Sequence, residues 1–405
     1  MIKAAILGYG TVGSGVVEVL RTNKNQITQK AGTEIEVSYV LDLRDFPGDP
    51  VESILVHDFD VILQDPDVCI VVETMGGVNP AYTFTKQALL AGKNVCTSNK
   101  ELVAQHGTEL LQIAEEKQVN YLFEASCGGG IPIIRVLNEA LTADRIEEVT
   151  GILNGTTNYI LSKMTEEGSE FSDALKEAQD KGYAERNPEA DVEGHDACRK
   201  IAILSSVAYG KYVDYRDVST EGIAGISAVD IKYAKALGAR IKLLASSRLT
   251  DKGCTARVCP VMIRPDSPLY AVNDVFNAVF VHGNMLGDAM LYGNGAGSLP
   301  TASAVAADVV ACAMHPAEHI RGGWHADQLK LMPAGEAESR FLVRLSGQPE
   351  ERLPEIRALF GEAEPVTAPG VTGECAFLTG IVQEAEFAGK YKDLAGAKNR
   401  IRVMW

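Results

Sequence analysis

The hexapeptide GYGTVG, residues 8–13, limits this chain more tightly than any other stretch. It sets Gly8, Gly10 and Gly13 in the G-x-G-x-x-G spacing, between the apolar run IKAAIL and the helix-like TVGSGVVEVLRTN. In that strand-to-helix context the spacing has a mechanism. Gly8 permits a tight turn, Gly10 lets backbone approach a pyrophosphate, and Gly13 lets the helix lie close on the strand. The helix start then offers N–H groups and partial positive charge to phosphates. A dinucleotide site is therefore expected here. The following runs EIEVSYVL, DVCIVVET, NVCTS and VNYLFEA alternate with the helical patterns PAYTFTKQALLAG and KELVAQHGTELLQIAEEKQ. Near-continuous Val/Ile runs read as strands buried on both faces. Their alternation with helices predicts an α/β, doubly wound, mostly parallel sheet.

Further candidates lie along this part of the chain. Asp42 follows the second strand, where a carboxylate would accept bonds from a ribose diol and favour NAD, whereas Arg44 would meet the 2′-phosphate of NADP. Lys100, in TSNKEL, sits just past a strand end, the edge where such sheets bind ligands. FEASCGGGIP sets Gly128, Gly129 and Gly130 before Ile131 and Pro132, a bend whose carbonyls and amides could hold an ion or substrate beside Glu124. Cys127 has no adjacent His to activate it as a nucleophile. His315 and His319, four apart on a helix, read as a structural pair, because no Cys, Asp or Glu cluster completes a metal site.

Composition excludes several classes. The net charge of −16 argues against a nucleic-acid partner and an anionic membrane surface. No apolar run reaches the ~18 residues that span a bilayer, and the N-terminal run is too short for a secretion signal. The eight cysteines contain no C-x-x-C pair and no dense framework, which fits a reducing cytoplasm.

A length of 405 residues implies two or three domains. A second unit begins near Ile131. IEEVTGILNG reads as a strand, ACRKIAILSSVAYG as a buried helix, and RIKLLASSRL, TARVCPVMIR, NAVFVHG and AMLYGNG as a second sheet. TASAVAADVVACAMH is a helix of small residues suited to close packing. From RFLVRLSG to RIRVMW the order is βαββαβ, a small self-contained sheet-and-helix sandwich.

The stretch from Gly182 to Lys200 carries Glu185, Glu189, Asp191, Glu193, His195 and Asp196 into the start of an apolar helix. Asp196 and Lys200 are four apart and share one helix face. On an exposed helix such a pair is worth only ~0.3–0.5 kcal/mol. Here Ile201, Ala202, Ile203 and Leu204 follow, so the helix is expected to be buried and the pair to line a cleft.

AQDKGYAERNPEADVEGHDACRK, residues 178–200, closely resembles the signature of homoserine dehydrogenases. GYGTVG, TSNKE, FEASCGGGIPII, GILNGTTNYIL and GNGAGSLPTASAVAAD match further family blocks in order, over residues 1 to about 315. The resemblance implies a Rossmann-type domain over residues 1–131, completed by a helix over about 300–318. It implies an α+β substrate-binding and dimerisation domain over 132–299 and a C-terminal unit over 338–405 that resembles an ACT domain. It implies reversible NAD(P)H-dependent reduction of L-aspartate 4-semialdehyde to L-homoserine, in threonine and methionine biosynthesis. Lys200 would donate the proton, Lys100 would aid transfer, and Asp196 would orient Lys200. Glu185 would hold the substrate ammonium, with Asp191, Gly155, Thr156 and Tyr183 around it. Thr11 and Val12 would touch the pyrophosphate; Thr74, Ser98, Lys100 and Gly297 would line the nicotinamide side. Glu124 and the carbonyls of Cys127, Gly129 and Ile131 would bind a monovalent cation, Na⁺ or K⁺. A homodimer or homotetramer and a threonine effector are expected.

Two rivals are an acylating semialdehyde dehydrogenase using Cys127 and a non-catalytic regulatory module. Neither needs the carboxylate–lysine array.

Overall fold

The structure is a computed structural model that describes residues 1–316 and 318–405. The chain divides into two compact units. The first comprises residues 1–145, 202–215 and 291–329; the second comprises 146–201, 216–290 and 330–405.

The first unit is built on a six-stranded sheet of β1 (Ile2–Leu7), β2 (Ile35–Leu41), β3 (Leu55–Val56), β4 (Val68–Glu73), β5 (Asn94–Thr97) and β6 (Tyr121–Leu122). Their order is β3-β2-β1-β4-β5-β6 and every pairing is parallel. The strand order reverses beside β1, which makes the carboxyl ends of β1 and β4 the natural ligand edge. The helices Thr11–Thr22 and Ser298–Met314 share a core of Val16, Val17, Leu20, Ala302, Val305 and Val309 with Ile6, Ile70 and Val72. Their close approach needs small residues: a Cβ on Gly15 would come within 2.7 Å of Ser298 Oγ and 3.0 Å of Ala302 Cβ. The helix Lys24–Ala31, not anticipated from sequence, occupies the long stretch between Gly13 and Asp42.

That second long helix ends at Met314, so His315 and His319 do not share a helix face as expected. Pro316 follows directly, and a residue before proline is driven out of the helical region. His315 Nδ1 lies 3.0 Å from Glu318 Oε2, and His319 Nδ1 lies 2.7 Å from the Val119 carbonyl. Each ring thus has its own local partner.

The second unit contains one large mixed sheet. The strands Ile146–Ile152, Arg240–Thr250, Gly253–Ile263 and Phe276–Gly283 pair antiparallel. The C-terminal segment follows the anticipated order, strand Glu338–Ser346, helix Pro349–Phe360, strands Ala363–Val366 and Glu374–Thr379, helix Glu384–Lys392, strand Ala397–Met404, with one short strand, Val382–Gln383, added before the second helix. Phe341, Val343, Ile356, Phe377 and Phe387 form its core. It is not self-contained, however. Its last strand pairs parallel with Gly253–Ile263, Val261 opposite Arg402 and Ile263 opposite Met404. The two sheets are thereby one, which gives Val261–Ile263 and the end of the last strand backbone partners on the edges that meet. Among the described residues, no helix is long and apolar enough to cross a membrane.

Candidate active site

In the first unit the glycine motif does what its spacing requires. Gly8 takes φ +91° beside Met75, and a Cβ on Gly13 would fall 1.9 Å from the Gly8 carbonyl oxygen. At Gly10, the N-cap of the helix Thr11–Thr22, a Cβ would meet nothing within 4 Å, so backbone is open to a ligand. Thr11 is exposed and Val12 half-buried on the first turn. The Thr74 hydroxyl donates to the Leu7 and Gly8 carbonyls, at 3.0 and 2.9 Å, and fixes the turn from below. Gly8, Gly10, Asp42, Arg44 and Thr74 line one cleft of about 490 Å³. Gly297, at φ +120°, caps the helix Ser298–Met314, and Ser298 Oγ donates to the Thr11 carbonyl at 2.6 Å. These open glycines at a helix N-terminus fit a dinucleotide pyrophosphate.

Asp42 and Arg44, read from sequence as competing signs for NAD and NADP, form one unit. Arg44 Nε and backbone N–H donate to Asp42 Oδ1 at 3.0 Å each, and its terminal nitrogen donates to Oδ2 at 3.0 Å. The Tyr9 N–H donates to Oδ2 at 2.8 Å. These bonds, the guanidinium foremost, hold the Asp42 carboxyl well below the usual carboxylate range.

Beneath the neighbouring loops lies Glu73, which sequence reasoning passed over. It is fully buried at the end of β4, accepting from Thr97 Oγ1 at 2.6 Å and Met75 N–H at 2.8 Å. Burial pushes it up to about 7. Thr97 Oγ1 in turn accepts from Asn99 N–H at 2.9 Å, and Asn99 caps the helix that Lys100 begins. Ser98 N–H donates to the Glu73 carbonyl at 3.3 Å.

The glycine-run bend is tight. Gly128 and Gly129 take φ +72° and +56°, and a Cβ on Gly129 would fall 2.5 Å from the Gly295 backbone. Both Glu124 oxygens accept backbone N–H groups, from Ile134 at 2.8 Å and Arg135 at 2.7 Å. Burial, with the charge of Asp308 second, pushes Glu124 up to about 7. Gly129 and Ile131 are buried close by, and the Ile131 carbonyl accepts from Ile133 N–H at 2.8 Å. Cys127 is a buried thiol.

In the second unit, the helix His195–Tyr209 starts with Asp196 and Lys200 both buried, 4% and 8% exposed. Lys200 Nζ lies 2.7 Å from Asp196 Oδ2 and 2.7 Å from the Leu153 carbonyl. Asn154 ties the array together: its amide donates to Asp191 Oδ1 at 2.7 Å and to Asp196 Oδ2 at 2.9 Å. Its own Oδ1 accepts from Thr157 N–H at 2.9 Å and caps the helix Gly155–Glu167. Gly155 must be glycine, since a Cβ would lie 2.7 Å from the Val275 carbonyl oxygen. Thr156 Oγ1 donates to the Tyr183 carbonyl at 2.6 Å. The Tyr183 ring packs edge-on against Tyr159 and remains half exposed; Glu185 is exposed. The network thus joins Lys200, Asp196 and Asp191 through a residue the sequence reading missed. The signal was there: an Asn between a strand and a Gly-Thr-Thr turn is a strong N-cap candidate.

Comparison with known proteins decides the class. Residues 8–124 match the model of the homoserine dehydrogenase NAD-binding domain, and residues 132–310 match that of homoserine dehydrogenase. A homoserine dehydrogenase of Neisseria gonorrhoeae is 41% identical, over 89% of this chain and 86% of its own. The chain belongs to the homoserine dehydrogenase family. One from Synechocystis is 46% identical, over 76% of this chain and 72% of its own. The crystal structure of a homoserine dehydrogenase from Thiobacillus denitrificans superposes with a TM-score of 0.91 at 36% identity, covering 100% of this chain and 98% of that one. A hyperthermophilic archaeal homoserine dehydrogenase in complex with NADPH gives 0.68 at 28% identity, over 79% of this chain and 99% of that one. As a homoserine dehydrogenase the chain is an NAD(P)-dependent oxidoreductase, and the stretch that matches the family's NAD-binding domain, residues 8–124, contains the glycine motif.

Proposed function

We propose that this chain interconverts L-homoserine and L-aspartate 4-semialdehyde with Lys200 as the proton carrier. The buried Lys200–Asp196 pair is the observation that carries the reading. When bound, the nicotinamide supplies or accepts the hydride. In the direction of reduction the Lys200 ammonium gives a proton to the substrate oxygen as that oxygen gains negative charge. In oxidation the amine takes the proton back. Asp196 and the Leu153 carbonyl fix the amine's direction. Asp191, steered by Asn154, completes an acidic wall. Glu185 would pair with the substrate ammonium. Gly155 and Thr156 would offer N–H groups at a helix start, with Tyr183 alongside, and Lys100 would polarise the carbonyl.

Further parts of the reading rest on the family. Glu124 and the carbonyls of Cys127, Gly129 and Ile131 would offer an all-oxygen set to Na⁺ or K⁺. The C-terminal segment, with the β-α-β-β-α-β order of an ACT-like unit, would bind threonine as an effector. A homodimer or homotetramer is proposed, and eight free thiols suit the cytoplasm. The test is an absorbance assay of L-homoserine with NAD⁺ and with NADP⁺, with and without L-threonine. Reduction of either nucleotide supports the reading, and the ratio sets the cofactor preference. No reduction of either overturns it. An unchanged rate with threonine removes the effector.

A further inference from the structure

Two arginines of the strand Ala397–Met404 reach a carboxylate beside the acidic loop. Arg400 donates to Glu221 Oε1 at 3.1 Å and Arg402 to Oε2 at 2.8 Å. The rest of the Arg402 guanidinium is spent on Glu384, at 2.8 Å to each oxygen, and Glu384 also receives Arg257 at 2.9 Å. Arg402 is therefore a fixed post, held from two sides.

Glu221 opens a segment that packs against the loop bearing the acids. Its own N–H donates to the Val258 carbonyl at 2.8 Å, continuing the short parallel pairing of Ser219–Thr220 with Arg257–Val258. The next residue, Gly222, lies so close to the acidic loop that a Cβ there would be 2.3 Å from the Val192 carbonyl oxygen and 2.5 Å from Glu193 Cα. Ile223 N–H donates to that same Val192 carbonyl at 2.8 Å. From the other side, a Cβ on Gly194, at φ +82°, would lie only 3.1 Å from the Thr220 and Val258 side chains. The segment from Val192 to Gly194 sits between Asp191 and Asp196, so whatever clamps it sets where both carboxylates stand.

We infer that Glu221, held by Arg400 and Arg402 of the C-terminal strand, is a positioning residue for the Asp191–Asp196 loop. The inference rests on the proposed role of that loop in binding the amino-acid substrate. The last strand of the chain thereby contributes to substrate binding without touching substrate. Loss of the Glu221 charge frees the loop, while the nucleotide motif in the other unit is unaltered.

The test compares Glu221→Ala, Glu221→Gln and Arg400→Ala with the wild-type chain, each checked for an unchanged melting temperature. Kinetics are read as KM for homoserine, KM for the nucleotide, and kcat. Small displacements of reacting groups cost up to ~10²-fold, so a rise of about tenfold in the homoserine KM is expected for Glu221→Ala. The nucleotide KM stays within about twofold, and Glu221→Gln, which keeps the shape and one acceptor, recovers part of the loss. Arg400→Ala, half-exposed and milder, shifts the same constant in the same direction. A homoserine KM unchanged in Glu221→Ala and Arg400→Ala overturns the inference, as does an equal rise in both KM values. Lys200→Met, run alongside, separates the readings: if it keeps full turnover, the proposed proton carrier is wrong, whatever Glu221 does.

Discussion

Lys200 and Asp196, one helical turn apart, meet at 2.7 Å with both side chains buried. Out of water an ion pair is held only by good geometry and further bonds. The Leu153 carbonyl and the Asn154 amide supply these. A charged amine fixed in one direction at a buried helix start is a costly arrangement to keep for stability alone, and a useful one for proton transfer.

Lys200→Met should lower kcat by about 10²–10⁴-fold, the usual worth of a placed acid or base. Nucleotide affinity, measured by fluorescence titration, should be unchanged. A kcat within a few-fold of wild type would remove Lys200 from the chemistry.

Asn154 separates positioning from capping. Asn154→Ala uncaps the helix Gly155–Glu167, at a cost of about 1 kcal/mol, and also unties Asp191 from Asp196. Asn154→Asp keeps a good cap but sets a third carboxylate against the other two. Denaturant unfolding should show the alanine variant losing capping energy, while turnover falls in both. An active Asn154→Asp enzyme would mean the bridge is dispensable.

Arg44→Ala removes a guanidinium that lines the glycine cleft beside Asp42. The KM for NADP⁺ should rise about tenfold, as for loss of a charge-assisted contact, with a smaller change for NAD⁺. Asp42→Asn should act in the opposite sense, weakening NAD⁺. Steady-state assays with both nucleotides check this; equal effects would place the pair outside cofactor selection.

Glu73 predicts a pH signature. Its folded pKa is raised by burial to about 7, above the ordinary value of 4.5, so the folded state holds the proton longer than the unfolded chain. Between those values the folded state binds more protons, and stability falls as pH rises from 4.5 to 7; above 7 the loss is complete. Glu73→Gln mimics the neutral acid and removes this slope. Urea unfolding at pH 5 and pH 8 should show the variant gaining of order 2 kcal/mol on the wild type at the higher pH. Parallel pH profiles would contradict it.

Periodicity along the chain made β1, β2, β4, β5 and the βαββαβ segment readable, because each rests on a local pattern of apolar residues. Lys200 and Asp196 were readable as well, since helical spacing alone puts them on one face. Partners brought in from elsewhere were not. Asn154 lies 42 residues from Asp196, and Glu221 meets Arg402 across 181; neither separation leaves a repeat to detect. The merging of two sheets through Val261–Ile263 was hidden for the same reason. Local composition describes a strand well but does not name its neighbour. The opposed signals of Asp42 and Arg44 were each legible, while their mutual bonding depended on a turn that only the fold defines.

The shared sheet has a consequence for shortened forms of this protein. Cutting the chain before residue 338 would strip the partner from Val261–Ile263, leaving main-chain donors and acceptors bare on an apolar stretch. It would also strand Asp230, now fully buried against Arg344, as an anion with its counter-ion gone. Such a fragment would tend to stick to copies of itself, so its silence toward an amino-acid effector would say little about where that effector binds.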